Sequence, residues 1–204
     1  MALRVVLISL VVIAAVALSG VSGIVNGLME TAPSIDTINV IPDGYATTIL
    51  NSKGKTIQTL VGKEANRQYA TLDTIPKHLQ NAFVAIEDER FWVHDGIDLQ
   101  GIFRATFSGL SNGGEFHQGA STLTQQLLKN NVFTTWTQEK NLMDRVIRKV
   151  QEQYLAVRLE QKYSKEYILE NYLNTINLGS GCYGVQSAAK RYFGKDVSDL
   201  TLSE

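Results

Sequence analysis

From Val5 to Val25, 16 of 21 residues are apolar and none is charged. As a helix this stretch is about 31 Å long, the thickness of a bilayer's hydrocarbon core. Arg4 and Glu30 are the only charged side chains among the first thirty residues. Arg4 and the amino terminus precede the run, and Glu30 and Asp36 follow it. The positive-inside rule then places the terminus in the cytoplasm and the remainder outside. A cleaved signal peptide is the competing reading, because Ala15-Val16-Ala17 has the small-x-small form of a cleavage site. The apolar run continues past that site through Leu18, Val21, Ile24 and Val25, which favours an uncleaved single-pass anchor. Ser19, Gly20, Ser22 and Gly23 would let helices approach closely, and are also simply tolerated in a span.

The other residues read as one domain. Nineteen basic and 20 acidic side chains give a net charge of -1, which excludes a strongly basic nucleic-acid binder and an acidic disordered tail. A single cysteine, Cys182, excludes an intrachain disulfide and a cysteine-rich zinc site. Residues 30–44 carry Pro33, Pro42 and Gly44 and read as a linker. Tyr45–Leu50 and Lys55–Leu60 flank Asn51-Ser52-Lys53-Gly54, a β-hairpin pattern with Gly54 supplying the positive φ.

From Pro76 onward the periodicity is helical. One helix follows Pro76, with Asp73 or Thr74 as cap and Leu79, Phe83 and Ile86 on its stripe. Others are expected over Leu99–Leu110, Ser121–Asn131 and Thr137–Gln161, the last with Met143, Val146, Ile147, Val150, Tyr154 and Val157 as its apolar stripe. Ser164 caps a further helix, with Tyr167, Ile168, Tyr172 and Leu173 inward. The glycine-rich loop Gly179–Gly184 precedes a short helix over Val185–Phe193. Thr201-Leu202-Ser203-Glu204 has the form of a capping box, so a further helix is expected and the sequence reads as a piece of a longer protein.

Three clusters carry chemistry. In the first, Ala85 to Gly96 holds Glu87, Asp88, Glu89, Arg90 and His94 among Phe91 and Trp92. Glu87 follows Phe83, Val84 and Ile86, and a carboxylate at an apolar edge suits general-base work. A solvated helix end with a Glu–Arg90 pair would carry the same residues. The second, Gly119 to Asn130, puts hydroxyls and amides at a helix start, where free N–H groups favour anions, and adds Lys129 two turns on. Plain capping by Ser121 and Thr122 is the alternative. The third holds Arg145, Arg148, Lys149 and Glu152. It reads either as a surface ion pair or as several cations gathered to hold a diphosphate. Glycosyl transfer needs two carboxylates on one cleft, and Glu87 and Glu152 are the natural pair.

In this order the clusters resemble the peptidoglycan glycosyltransferase domain, family 51 of the glycosyltransferases, found in class A penicillin-binding proteins and monofunctional transglycosylases. The matching stretches are Glu87-Asp88-x-x-Phe91-x-x-His94-x-Gly96, Gly119-x-Ser121-Thr122-x-Thr124-Gln125-Gln126-x-x-Lys129-Asn130 and Arg148-Lys149-x-x-Glu152. Ile168-Leu169-Glu170-x-Tyr172-Leu173-Asn174 and the region from Tyr183-Gly184 to Gly194-Lys195 are similar too. The hairpin and Ile75-Pro76-Lys77-His78-Leu79-Gln80-Asn81-Ala82 look like the lead-in of bifunctional members, which carry a transpeptidase domain after this one.

The resemblance implies a mainly α fold, a lysozyme-like glycosyltransferase domain over residues 70–204 that is incomplete at its carboxyl end. A cytoplasmic tip and transmembrane helix over 1–29 and a linker with hairpin over 30–69 precede it. It implies polymerisation of lipid II at the outer face of a bacterial cytoplasmic membrane. Glu87 would be the general base and Glu152 would assist at the diphosphate. Lys129, Arg148 and Lys149 would neutralise the diphosphate. Asp88, Phe91, His94, Ser121, Thr122 and Gln126 would shape the site and bind sugar or phosphate. The implied cofactor is at most a divalent cation, magnesium or manganese, with no organic cofactor. The implied partners are lipid II, the growing lipid-linked strand, the membrane and other cell-wall synthesis proteins, with no nucleic acid. Ile97, Leu99, Ile102, Phe103, Phe107 and Leu110, followed by Gly113-Gly114, suggest a mobile flap that touches the membrane. Asn131–Leu142, with Phe133 and Trp136, reads as a loop at the cleft edge. Two other functions compete: a membrane-anchored lysozyme-like glycan hydrolase, which would not need the cations, and an inactive cell-wall scaffold, for which the charged set would be superfluous.

Overall fold

A computed structural model describes residues 2–60, 66–111 and 119–204. The described residues form seven α-helices and one two-stranded sheet, so the mainly α expectation holds. Helix α1 (Ala2–Glu30) is long and apolar enough to cross a membrane, and its outer turns are exposed. Its base rests on the domain, where the Gln151 side-chain amide donates to Leu28 O (3.1 Å) and Thr31 Oγ1 (3.0 Å).

Strands β1 (Thr47–Leu50) and β2 (Thr56–Leu60) pair antiparallel, with Thr47 opposite Leu60 and Ile49 opposite Gln58. The turn forms as its residues dictate. Asn51 Oδ1 accepts the N–H groups of Lys53 and Lys55 at 2.9 Å each, and Gly54 takes φ +73°.

The body is built from α2 (Lys77–Glu87), α3 (Leu99–Ser111), α4 (Leu123–Asn131), α5 (Leu142–Lys162), α6 (Lys165–Thr175) and α7 (Val185–Phe193). Short helix α4 sits at the centre, packed against α5 and α6. Leu123, Leu127 and Leu128 of α4, Leu155 and Leu159 of α5, and Ile168, Leu169 and Leu173 of α6 are fully buried together with Phe91. Their burial removes the largest apolar surface in the chain from water and fixes the direction in which α4 presents its polar start. Ser164 caps α6 as its position predicts, accepting from Tyr167 N at 3.2 Å.

Three sequence expectations give way here. The cap of α2 is Pro76, with no side-chain bond; Thr74 instead donates to Thr71 O, and Gln80 satisfies Leu72 O and Ile75 O. Ile86 lies on the exposed side of α2, because burial on that helix follows Gln80 and Val84. Helix α5 starts at Leu142, after a single 3-10 turn over Trp136–Gln138, and its buried face is Gln151, Glu152, Leu155, Ala156 and Leu159. Met143 and Val146 of the expected stripe are exposed. The reason is that α5 turns towards α4 a face that carries ion pairs, and an apolar count does not register such a face. At the carboxyl end, Glu204 Oε2 accepts the Thr201 N–H at 2.9 Å, one half of the expected capping box.

Candidate active site

The first motif forms a loop between α2 and α3. Asp88 is its anchor. Its carboxylate takes the His94 Nε2–H at 2.9–3.0 Å and the Leu123 N–H at 2.9 Å, tying the loop to the start of α4. His94 Nδ1 accepts from Gly96 N at 3.1 Å, which leaves the proton on Nε2. Gly96 has φ +88°, and a Cβ there would lie 2.5 Å from the Ala156 carbonyl carbon, so the loop lies directly on α5. The Thr122 hydroxyl donates to Gly96 O (2.8 Å) and accepts from Gln125 N (3.2 Å), capping α4. Phe91 is fully buried, and Asp88, His94 and Thr122 nearly so. These four hold the site together from behind. The side chains of Phe91 and His94 are committed to the core and to this network.

The groups that face open space are different. Glu87, the last residue of α2, is exposed, so the apolar edge inferred from its neighbours does not enclose it. Its Oε2 accepts from Gln126 Nε2 at 2.9 Å, and Gln126 Oε1 accepts from the Tyr172 hydroxyl at 3.2 Å. The relay fixes which way the Gln126 amide points. Burial, with the nearby Glu87 charge, pushes the Tyr172 phenol well above its ordinary range, so it stays protonated and donating.

The cations line the same cavity of about 430 Å³ as Glu87. Glu87, Ser121, Gln126, Lys129, Arg148 and Lys149 all line it. Lys149 Nζ donates to Ser121 Oγ (2.7 Å), Gln125 Oε1 (3.3 Å) and Glu152 Oε2 (3.2 Å). Arg148 bonds Glu152 Oε1 through Nη1 and Glu139 Oε1 through Nε, the latter at 2.7 Å. Glu152 is 1 % exposed and serves as the common counter-ion. Lys129 Nζ stands 3.6 Å over the Trp136 ring, and burial, partly offset by the Glu152 charge, pulls its ammonium below its ordinary range. A second cavity, of about 610 Å³, adjoins on the other side of Glu87 and is walled by Phe83, Trp136, Tyr172 and Tyr183.

The structure thus brings Glu87, Gln126, Ser121, Lys129, Arg148 and Lys149 to one cavity, with Glu152 beneath. Tyr172, Trp136 and Glu139 complete it. Glu139 was missed in the sequence, where Tyr172 reads as core and as part of a matching stretch, and Trp136 as part of a loop at the cleft edge. Both Glu152 oxygens are held by cations, Oε1 by Arg148 and Oε2 by Lys149.

The chain belongs to the transglycosylase family, whose sequence model matches residues 53–204. Penicillin-binding protein 1A of Clostridium tetani is 41% identical over 206 residues, which take in 100% of this chain and 25% of that protein. Penicillin-binding protein 1A of Clostridium novyi is 40% identical over 183 residues, 88% of this chain and 21% of that protein. Penicillin-binding protein 1F of Bacillus subtilis is 41% identical over 156 residues, 76% of this chain and 20% of that protein. The chain spans about a quarter or less of the length of these curated relatives.

Proposed function

We propose that this chain is a peptidoglycan glycosyltransferase that polymerises lipid II at the outer face of a bacterial cytoplasmic membrane. In this reading α1 is a single-pass anchor with its amino terminus in the cytoplasm. Residues 30–69 connect it to a catalytic domain over residues 70–204. The observation that carries the reading is one cavity lined by the Glu87 carboxylate together with Lys129, Arg148 and Lys149. Glu87 takes the proton of the 4-hydroxyl on the acceptor N-acetylglucosamine. The freed oxygen attacks the anomeric carbon of the lipid-linked donor strand from the face opposite the diphosphate, so the configuration inverts. Charge then develops on the departing diphosphate. Lys129, Arg148, Lys149 and the Ser121 hydroxyl are already in place to receive it. Glu152 keeps those cations in position. A hydrolase cutting neutral glycan has no use for this cationic set, which disfavours the lysozyme-like alternative.

The direct test is to incubate the chain in detergent with fluorescent lipid II and to separate the products by size. A ladder of long glycan strands is the expected result. No polymer from either this chain or a carboxyl-terminally extended form, with preformed strands also left uncut, would turn the assignment towards a scaffold.

The membrane-touching surface expected on α3 has a physical basis. Gly101, Ala105 and Gly109 face the body, while Leu99, Phe103, Phe107 and Leu110 are 65–75 % exposed on the opposite side. The glycine pair Gly113-Gly114 at its end lies outside the described residues. In a chain starting at Asn26, replacing Phe103 and Phe107 by Ser is expected to lower liposome binding at least about fivefold, the effect of removing two aromatic rings from an interface. Unchanged co-sedimentation would remove this role.

A further inference from the structure

The connection between α4 and α5 is attached to the body in an unusual way. From Thr134 to Met143 every residue is exposed except Trp136 and Glu139. Trp136 lies on the Lys129 ammonium, and Glu139 is paired with the Arg148 guanidinium. Its side chain is 16 % exposed and that of Arg148 is 14 %. The second carboxylate oxygen, Glu139 Oε2, is buried and has no hydrogen-bond partner among the described residues. The segment is therefore fastened by the same two cations that face the cavity beside Glu87, and its carboxylate is only half satisfied there.

We infer that Glu139 is an internal counter-ion standing in the diphosphate's place, and that residues 134–141 form a strap released when an anionic ligand takes Lys129 and Arg148. This rests on the diphosphate reading given above. The chemistry is a competition. A diphosphate offers several charged oxygens to Arg148 and Lys129, where Glu139 offers one bonded oxygen. Its arrival leaves Glu139 without its partner, in surroundings where an unpaired carboxylate is unfavourable. Glu139 and Trp136 then swing into water, and Lys129 leaves the indole ring. Asn131, bonded to Val40 O (2.6 Å) and Thr175 Oγ1 (2.9 Å), fixes the end of the strap that does not move. The strap sets an affinity threshold: ligands bearing a single weak charge do not displace it, and a diphosphate does.

The experiment uses the full chain in detergent with Trp92→Phe, so that Trp136 is the only tryptophan, and farnesyl diphosphate as the probe. Equilibrium dialysis measures affinity, and Trp136 emission reports the strap. Glu139→Gln is expected to bind the probe about tenfold more tightly than its parent, the size of one competing charge in a partly buried pair. Glu166→Gln, an exposed charge on α6, is expected to leave affinity unchanged. In the parent, emission should change saturably with the probe as Lys129 leaves the ring. Equal affinity of the parent and Glu139→Gln, or binding with no emission change, overturns the strap while leaving the diphosphate pocket standing. Binding by none of the proteins overturns both readings. If Glu139→Gln does not fold, the emission arm on the parent decides alone.

Discussion

Glu87→Gln is expected to lower the rate of glycan polymerisation by about 10²–10⁴-fold, the usual contribution of a positioned general base. The amide keeps the size of the carboxylate but cannot accept a proton from a sugar hydroxyl at neutral pH. Its surroundings argue that little else would change. Glu87 is exposed and, among the described residues, its one side-chain bond is to Gln126 Nε2, while Gln126 is itself held by Tyr172. No buried charge is stranded and no core contact is lost, so the melting temperature should stay within about 1 °C, as for an ordinary surface substitution. The binding of lipid II, set by Lys129, Arg148 and Lys149, should also persist. The measurement is the initial rate of lipid II consumption at saturating substrate, with KM taken from the same series. A fall confined to kcat assigns Glu87 to the transition state. A variant that keeps more than a tenth of the parent's kcat would remove Glu87 from that role and leave its exposed carboxylate without a chemical assignment.

The sequence already shows much of this arrangement, and the gaps have a common cause. The apolar run of α1, the Asn51–Gly54 turn, and the Ser164 cap are local signals, and each forms where it is expected. The three charged motifs are visible because each lies within a dozen residues. Tyr172, Trp136 and Glu139 are not visible in this way. Tyr172 reaches the site across 46 positions to Gln126, and nothing near it in the chain marks that contact. Trp136 and Glu139 sit in a stretch of threonines and exposed polar residues, and nothing local marks their contacts with Lys129 and Arg148. Helix α5 shows the same limit from the other side. Its apolar periodicity points to Met143 and Val146, but the buried face carries Gln151 and Glu152, paired to the base of α1 and to the cations. A polar face that is buried because it is fully partnered looks, in one dimension, like a solvated one.

That partnered face supports the other large expectation. Glu152→Ala should cost about 3 kcal/mol of stability, the lower end for breaking a buried ion pair because Lys149 remains partly exposed. For a domain of this size that lowers the melting temperature by about 10 °C. The cost does not come from one lost bond. Removing the 1 % exposed carboxylate leaves Arg148 with Glu139 alone, and leaves Lys149 with only the neutral Ser121 and Gln125. Two cations then repel across a cavity wall that has lost its negative centre. Polymerisation should fall as well, but for a separable reason: Arg148 and Lys149 would no longer be aimed at one point. The double variant Glu152→Ala, Lys149→Met distinguishes the two. Deleting the unpaired ammonium should restore about half of the lost stability, the coupling expected between groups in direct contact. It should not restore activity, because a cation needed for the departing diphosphate is then gone. Were the melting temperature of Glu152→Ala unmoved, its pairs with Arg148 and Lys149 would have no part in stability. Were activity to return with stability in the double variant, Lys149 would have no part in receiving the diphosphate, and Lys129 and Arg148 would carry that charge alone.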